Sequence, residues 1–263
     1  MTAAAQSLRN LVQGSTLPIP GVFDALSAQL AAQAGFEAVL CSRETLAAAG
    51  LSLRGTVLAP EAAVFTAAAL QTRTGLPLML DLGPRALDPA FEVRHSAETL
   101  RDLGAIAVGD AADGSDDSLV EIERQAEQLA ALAKDCESGP ILIARTAAAN
   151  IAEAQQRAEA YLAAGAEWIL VSNLTREEEL EEFASAFEAP LAVEVNDFDS
   201  RMQLHCEELA EMGYAAVLFP WTLLRVAAKA MEAALALLAQ EGATHELLDL
   251  MTSPEELDEL LRP

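Results

Sequence analysis

The chain has 263 residues, of which 52% are hydrophobic and 22% are charged, so it can bury a large core and does not have the composition of a disordered chain. Its 41 acidic residues outnumber 16 Lys and Arg and give a formal net charge of -25, which argues against nucleic acid and anionic membranes as partners because both bind basic patches. The three cysteines form no C-x-x-C pair, and we find no targeting or membrane-length apolar segment, so we expect a cytoplasmic protein.

Short apolar runs alternate along the chain with longer segments of helical periodicity, a pattern that predicts parallel strands covered by helices. Strands are predicted at about 19–23, 37–41, 77–81, 105–109, 141–145, 168–172, 191–195 and 215–219. Helices are predicted near 24–34, 60–74, 89–103, 119–136, 150–164, 175–187, 201–212 and 221–240, with Asp24 and Thr175 as N-caps. Eight such units in a chain of this length indicate an α/β protein with one (β/α)8 TIM barrel domain over residues 1–263.

Extra helices are predicted after the eighth strand. A segment at 243–251 follows the Ala-rich helix, and a terminal helix capped at Ser253 reaches about residue 261. The resulting C-terminal helical arm, about 221–263, is longer than one barrel needs. Such an arm either packs on a partner subunit or folds back on its own barrel, and the sequence allows both.

Three stretches of the chain carry a family resemblance. Residues 20–28 read PGVFDALSA, residues 143–146 read IART at the end of the fifth predicted strand, and residues 208–214 read ELAEMGY before the eighth. In this order they resemble the phosphoenolpyruvate mutase / isocitrate lyase superfamily, which includes 2-methylisocitrate lyases, oxaloacetate decarboxylases and phosphonopyruvate hydrolases. The resemblance implies lyase or mutase chemistry on 2-oxo acids, a magnesium ion, and a homo-oligomer, a tetramer with exchanged C-terminal helices.

The magnesium positions of the superfamily are altered in this sequence. Its third strand ends in D-x-D-x-G, whose second Asp holds the metal, whereas here Asp81 matches the first Asp and Gly83 stands at the second. Its fourth strand ends in E-D-Q, whereas here Gly109 replaces the Glu and Asp110 is kept. Asp81 and Asp110 are therefore the remaining candidates to hold magnesium weakly, through its water ligands.

Other superfamily positions differ as well. No K-[KR]-C-G-H lid, with its acid cysteine, occurs between Asp110 and Pro140. Leu53 and Ala147 each stand where the superfamily has an Asp, and Arg43 replaces a glycine that lies close to the substrate. The side chain of Arg43 would either fill the pocket or neutralise nearby carboxylates.

Polar residues follow the predicted strands, at the end of the barrel where such folds form their sites. Arg145 is the leading candidate because a guanidinium can bind a carboxylate through two parallel hydrogen bonds. The alternative for Arg145 is a buried ion pair with Asp81 or Asp110. We assign Arg145 and Asp81 as catalytic candidates, and the substrate-binding candidates are Ser42, Arg43, Asp24, Glu194 and Asn196.

Two functions are consistent with these residues. The first is a divergent barrel that lacks the usual magnesium ligand and lid cysteine, has lost the usual lyase activity, and binds a small carboxylate or a partner protein. The alternative is an active lyase or hydrolase on a small 2-oxo or 2-hydroxy carboxylate. In that case Arg145 binds the carboxylate while Asp81 and Asp110 hold magnesium. The sequence alone leaves open whether the chain is an enzyme.

Overall fold

The computed structural model describes residues 2–51, 59–83, 103–110, 118–136, 139–199 and 204–262. Its strands are β1 Leu17–Pro20, β2 Val39–Ser42, β3 Leu78–Asp81, β4 Ala105–Gly109, β5 Ile141–Thr146, β6 Trp168–Val171, β7 Leu191–Glu194 and β8 Ala216–Phe219. All neighbouring strands are parallel, in the order β1-β8-β7-β6-β5-β4-β3-β2. A bridge between Gly21 and Leu40 joins the two outer strands, so the sheet closes into the predicted TIM barrel.

Helices cover the outside of the barrel and extend beyond β8. They are α1 Ala3–Leu11, α2 Ala25–Gln33, α3 Arg43–Leu51, α4 Pro60–Thr74, α5 Ile122–Cys136, α6 Ile151–Ala163, α7 Glu177–Ser185, α8 Cys206–Glu211, α9 Thr222–Glu241, a 3-10 helix His245–Leu250 and α10 Pro254–Leu260. The helix predicted at 89–103 lies almost wholly outside the described residues. Helices α1 and α3 were not predicted from the sequence.

The helix starts show where local sequence determines structure. Asp24 caps α2 as predicted, because its Oδ1 accepts a hydrogen bond of 2.7 Å from the Ser27 N–H. The prediction for Thr175 was wrong, since α7 begins after Arg176, which forms no side-chain cap. Helix α3 follows β2 without a loop, and the Ser42 hydroxyl accepts the Thr45 N–H at 3.1 Å.

Two apolar layers hold the barrel. The inner layer contains side chains that alternate along the strands, such as Leu40, Met79 and Ile143, while their sequence neighbours pack under the surrounding helices. Ala5 and Leu8 of α1 belong to the inner layer, so α1 closes the amino-terminal end of the barrel. The opposite end, where the strands finish, is left to polar residues.

The glycine of the PGVFDALSA stretch permits a close approach between two strand ends. A Cβ on Gly21 would lie 2.2 Å from the carbonyl oxygen of Pro220, just after β8. No side chain fits at that distance. The motif therefore has a packing role where the first and last strands meet.

The C-terminal arm divides into two parts. Helix α9 has no buried residue in the described part of the chain, and it exposes Val226, Met231 and Leu235. Leu260 of α10 is buried, and Arg73 of α4 donates to the carbonyl of Arg262. The end of the arm thus folds back on its own barrel while α9 stays uncovered. Within the described ranges, none of the helices has the length and apolarity needed to cross a membrane.

Candidate functional site

The alternation of side chains along the strands determines which polar residues point into the barrel. Met79, Ala107, Ile143 and Ala192 all belong to the inner apolar layer. Residues two positions later face the same way, because the side-chain period of a strand is two. These are Asp81, Gly109, Arg145 and Glu194, and by the same rule Ser42 follows Leu40. They form the last inward layer, at the carboxyl ends of the strands.

Arg145 and Asp81 form an ion pair in this layer. Arg145 Nη1 donates to Asp81 Oδ2 at 2.9 Å, and the two side chains are 11% and 10% exposed. The other oxygen, Asp81 Oδ1, accepts the Gly83 N–H at 2.8 Å. The Asp81 carboxylate raises the pKa of Arg145 above its usual value, so the guanidinium is always charged. The ion pair considered above as the alternative for Arg145 is therefore formed, with Asp81.

Gly109 makes room for the Arg145 side chain. A Cβ at position 109 would lie 2.9 Å from Arg145 Nε and 3.0 Å from Nη2, but 3.3 Å from Cζ. Since both nitrogens are closer than the carbon between them, the edge of the guanidinium points at Gly109. The buried Nε finds no hydrogen-bond partner in the described part of the protein. The glycine at the end of β4 therefore lets Arg145 lie against this strand.

Glu194 is the second carboxylate beside Arg145. Its Oε2 lies 3.6 Å from Arg145 Nη1, which is too long for a hydrogen bond, and its side chain is 22% exposed. Burial raises the pKa of Glu194 to about 7, and the attraction of Arg145 offsets only part of this, while Asp81 and Glu44 add to the rise. Glu194 is thus a carboxyl group that exchanges its proton near neutral pH.

Ser42 and Arg43 occupy the start of α3 beside this layer. The Ser42 hydroxyl is engaged with Thr45, whose Oγ1 lies 2.9 Å away. Arg43 is 3% exposed, and its Nη1 donates to the carbonyl oxygen of Leu82, immediately after Asp81. The structure thus places the Arg43 guanidinium in a buried position, bound to a backbone carbonyl of the segment that follows β3, and it does not decide between the two outcomes predicted for this residue.

Asp110 faces away from the inner layer. Its position continues the outward series of Ile106 and Val108, and its carboxylate is fully buried. Oδ1 accepts the Ala147 N–H at 2.9 Å, while Oδ2 accepts Tyr161 Oη at 2.9 Å and Arg157 Nη1 at 3.3 Å. Tyr161 and Arg157 lie on α6, outside the barrel. Asp110 therefore ties β4 to the β5–α6 connection.

The remaining candidates lie at the rim of the barrel. Asp24 is exposed and caps α2, and the exposed Asn196 accepts the Phe198 N–H at 3.4 Å. Neither contacts Arg145 in any described interaction. Leu53, the residues 111–117 and the connection at 84–102 lie outside the described residues, so the lid region and the Leu53 position are not placed.

The described donor set does not fit a resident magnesium ion. Both oxygens of Asp81 already accept hydrogen bonds, and both oxygens of Asp110 are bound on the outer side of the barrel wall. Among the described residues, no group of three or more His, Cys, Asp or Glu side chains could hold a metal. This arrangement disfavours the hypothesis that Asp81 and Asp110 share one ion.

Comparisons with known proteins agree with the geometry of the fold. The family model described as phosphoenolpyruvate phosphomutase matches residues 8–239. The 2-methylisocitrate lyase of Bacillus subtilis (strain 168) is 32% identical over 254 residues, 92% of this chain and 83% of that protein. The structure of 2,3-dimethylmalate lyase has a TM-score of 0.89 at 23% identity, covering 99% of this chain and 95% of that one. That of phosphonopyruvate hydrolase with oxalate and Mg2+ has a TM-score of 0.86 at 24% identity, covering 99% and 95%.

Proposed function

This chain belongs to the phosphoenolpyruvate mutase / isocitrate lyase superfamily, and from that premise we propose that it binds a small 2-oxo or 2-hydroxy carboxylate without the usual lyase activity. The single observation that carries this proposal is the ion pair between Arg145 and Asp81. It leaves a permanent cation at the centre of the strand ends while it occupies the carboxylate that matches the family motif. The arginine that can bind a ligand carboxylate is retained, and the aspartate that could bind a metal is already paired with this arginine.

The ligand carboxylate takes the place of Glu194 beside Arg145. Asp81 is held at hydrogen-bond distance, whereas Glu194 lies 3.6 Å away and is more exposed, so Glu194 is the weaker partner of the guanidinium. A carboxylate that approaches with good geometry gains a charge-assisted hydrogen bond that Glu194 does not form. Arg145 and Asp81 thus form the centre of the site, with Glu194 as an exchangeable side chain.

The other predicted substrate-binding residues have supporting roles in this proposal. Ser42 orients the junction from which Arg43 enters the site, and Asn196 offers an exposed amide at the end of β7. Asp24 stabilises the start of α2. This helix follows β1, the strand whose end lies beside β2 and therefore close to Ser42. Their substitution is expected to weaken ligand binding less than substitution of Arg145.

The second candidate function is an active lyase or hydrolase on the same class of carboxylate. It is favoured by the 32% identity to a 2-methylisocitrate lyase over most of the chain. It requires magnesium bound at Asp81 and an acid in place of the lid cysteine. Since superfamily membership does not determine activity, the reaction must be tested directly.

The deciding experiment measures binding and turnover on the same preparation. Oxalate binding is measured by calorimetry, and 2-methylisocitrate, oxaloacetate and phosphonopyruvate are assayed for turnover with excess magnesium. We expect oxalate binding that is lost in Arg145→Gln and kept in Arg176→Gln, a control at an arginine whose side chain is 62% exposed. Turnover of any of these substrates that Arg145→Gln abolishes would establish the second candidate instead.

We also propose that a second copy of the chain covers α9. In a helix of 20 residues with no buried side chain in the described part of the chain, Leu223 near the start packs against the barrel, and the exposed apolar residues further along need a cover. Sedimentation velocity is expected to show a homo-oligomer that dissociates in Leu235→Glu, a change at a side chain that is 64% exposed. A monomeric wild-type protein would refute this.

A further inference from the structure

Two guanidinium groups bind residues 81–83, the end of β3 and the two residues after it. Arg145 Nη1 donates to Asp81 Oδ2 at 2.9 Å, and Arg43 Nη1 donates to the carbonyl oxygen of Leu82. We propose that these two fixed cations take the place of a divalent metal ion at this segment. Carboxylate binding by the barrel then does not depend on a divalent cation.

The charge of the segment is balanced without a metal. Asp81 is 7% exposed, and a carboxylate so deeply buried needs a cation or several hydrogen bonds. Arg145 supplies the cation, and Asp81 raises the pKa of Arg145 further above its usual range. Arg43, 3% exposed, adds a second positive charge at the next residue. A divalent ion placed between these guanidinium groups would be repelled by both.

The ligand positions at the segment are also partly occupied. Asp81 Oδ1 accepts the Gly83 N–H at 2.8 Å, and Asp81 Oδ2 accepts from Arg145, so each oxygen already uses one of its two acceptor positions. Gly83 brings no side-chain oxygen. At Gly109, the edge of Arg145 already lies where a side chain would begin. The resemblance places carboxylates at positions 83 and 109. Position 83 lies within the arginine-bound segment, and position 109 contacts Arg145.

The inference rests on the proposed function only for the identity of the carboxylate ligand. Its first test uses a metal ion alone and needs no substrate. Mn2+ is titrated into the full-length protein, and free Mn2+ is followed by electron paramagnetic resonance. We expect only weak surface binding, with the same isotherm in wild type and Asp81→Asn. A saturable Mn2+ site in the wild type that Asp81→Asn removes would overturn the proposal.

A double variant, called the reversal variant, serves as the positive control because it is designed to create a metal site. Gly83→Asp combined with Arg43→Gly restores one carboxylate and removes one guanidinium. Among the described residues, a Cβ at position 83 meets no atom within 4 Å, and Asp tolerates the φ of +64° there. We expect this variant to gain a saturable Mn2+ site that depends on Asp81. A folded reversal variant that gains none would show that Arg43 is not what replaces the ion, and would count against the proposal.

The second test uses wild-type protein, so it does not depend on the folding of any variant. Oxalate affinity is measured in EDTA and in excess magnesium chloride. We expect the two dissociation constants to agree within about twofold, and a gain of about tenfold or more with magnesium would overturn the inference. Absence of oxalate binding under both conditions would instead refute the proposed function, while the Mn2+ titration still decides the inference.

Discussion

Two carboxylates end neighbouring strands, each with its own arginine, and they differ in almost every other respect. Asp81 points into the barrel, keeps some exposure, and shares Arg145 with Glu194. Asp110 points outward, is fully buried, and has both oxygens bound by groups of α6 and the β5–α6 connection. The same residue types thus form the candidate site on the inner face of the strands and a structural clamp on the outer face. The clamp consists of the contacts of Asp110 with Tyr161, Arg157 and Ala147.

The largest effect on stability is expected at the clamp. Asp110→Ala leaves the Arg157 guanidinium buried with only Glu153 as an acidic partner among the described residues, and removes the acceptor for Tyr161 and for the Ala147 N–H. We expect a loss of about 3–5 kcal/mol in the free energy of unfolding, measured with urea. Asp81→Ala should cost less, because Glu194 still accompanies Arg145. The reverse order would contradict the division into clamp and site.

A substitution at Gly109 should affect the site more directly than it affects the fold. Gly109→Ala puts a methyl group 2.9 Å from Arg145 Nε, so the guanidinium must move away from Asp81. We expect a cost of about 1–3 kcal/mol in stability, together with weaker oxalate binding in calorimetry. Gly14→Ala is the matched control, since within the described part of the chain its Cβ meets only the Leu11 carbonyl at 3.9 Å. Unchanged oxalate affinity in Gly109→Ala would show that the position of Arg145 does not affect ligand binding.

Tyr161→Phe removes two hydrogen bonds from the clamp alone, since the hydroxyl donates to Asp110 and accepts from Arg157 Nη1 at 3.0 Å. The hydroxyl donates to Asp110 Oδ2 at 2.9 Å, and burial raises the pKa of Tyr161 above its usual value, so the group is neutral. We expect a loss of about 1 kcal/mol of stability in urea unfolding. Oxalate affinity should stay the same. A change in affinity would mean that clamp and site are coupled.

The last test is a pH dependence that belongs to the site. The pKa of Glu194 rises from 4.5 to about 7 on folding, so the folded protein holds this proton more tightly than the unfolded chain. Its contribution to stability is present in acid and is lost as the pH rises toward about 7.

Urea unfolding of Glu194→Gln across this range should show that part of the pH slope removed, and Glu182→Gln, on the exposed face of α7, serves as the control. Oxalate binding should likewise weaken above neutral pH in the wild type and not in Glu194→Gln. An identical pH slope in both proteins would assign the titration to another group.

The sequence was sufficient for the strands and for part of the site. Apolar runs separated by helical segments placed the ends of the eight strands to within three residues, because buried parallel strands are apolar on both faces. It missed α3, whose first residue directly follows β2 with no turn residue between them. The Ser42 and Thr45 pair was the available signal, since a hydroxyl three residues ahead of another is typical of a helix start.

The sequence could also have predicted that Asp81 and Asp110 lie on opposite faces of the sheet. Counting by two from the apolar inner layer puts Asp81 inward and Asp110 outward, whereas the family motifs group them as one metal shell. The partners of Asp110 were less accessible, because Arg157 lies 47 residues further along the chain. Its only sequence signal is its place on the stripe of Ala154, Ala158 and Tyr161, where a charged side chain is unexpected.

The contact between Gly109 and Arg145 means that these two positions cannot vary independently in evolution. In a chain with a small residue at position 145, Gly109→Ala meets no guanidinium and should be nearly neutral, whereas beside Arg145 the same change is costly. A carboxylate side chain therefore cannot be introduced at position 109 by one substitution unless the arginine is also displaced. The effect of a change at position 109 depends in this sense on the residue at position 145.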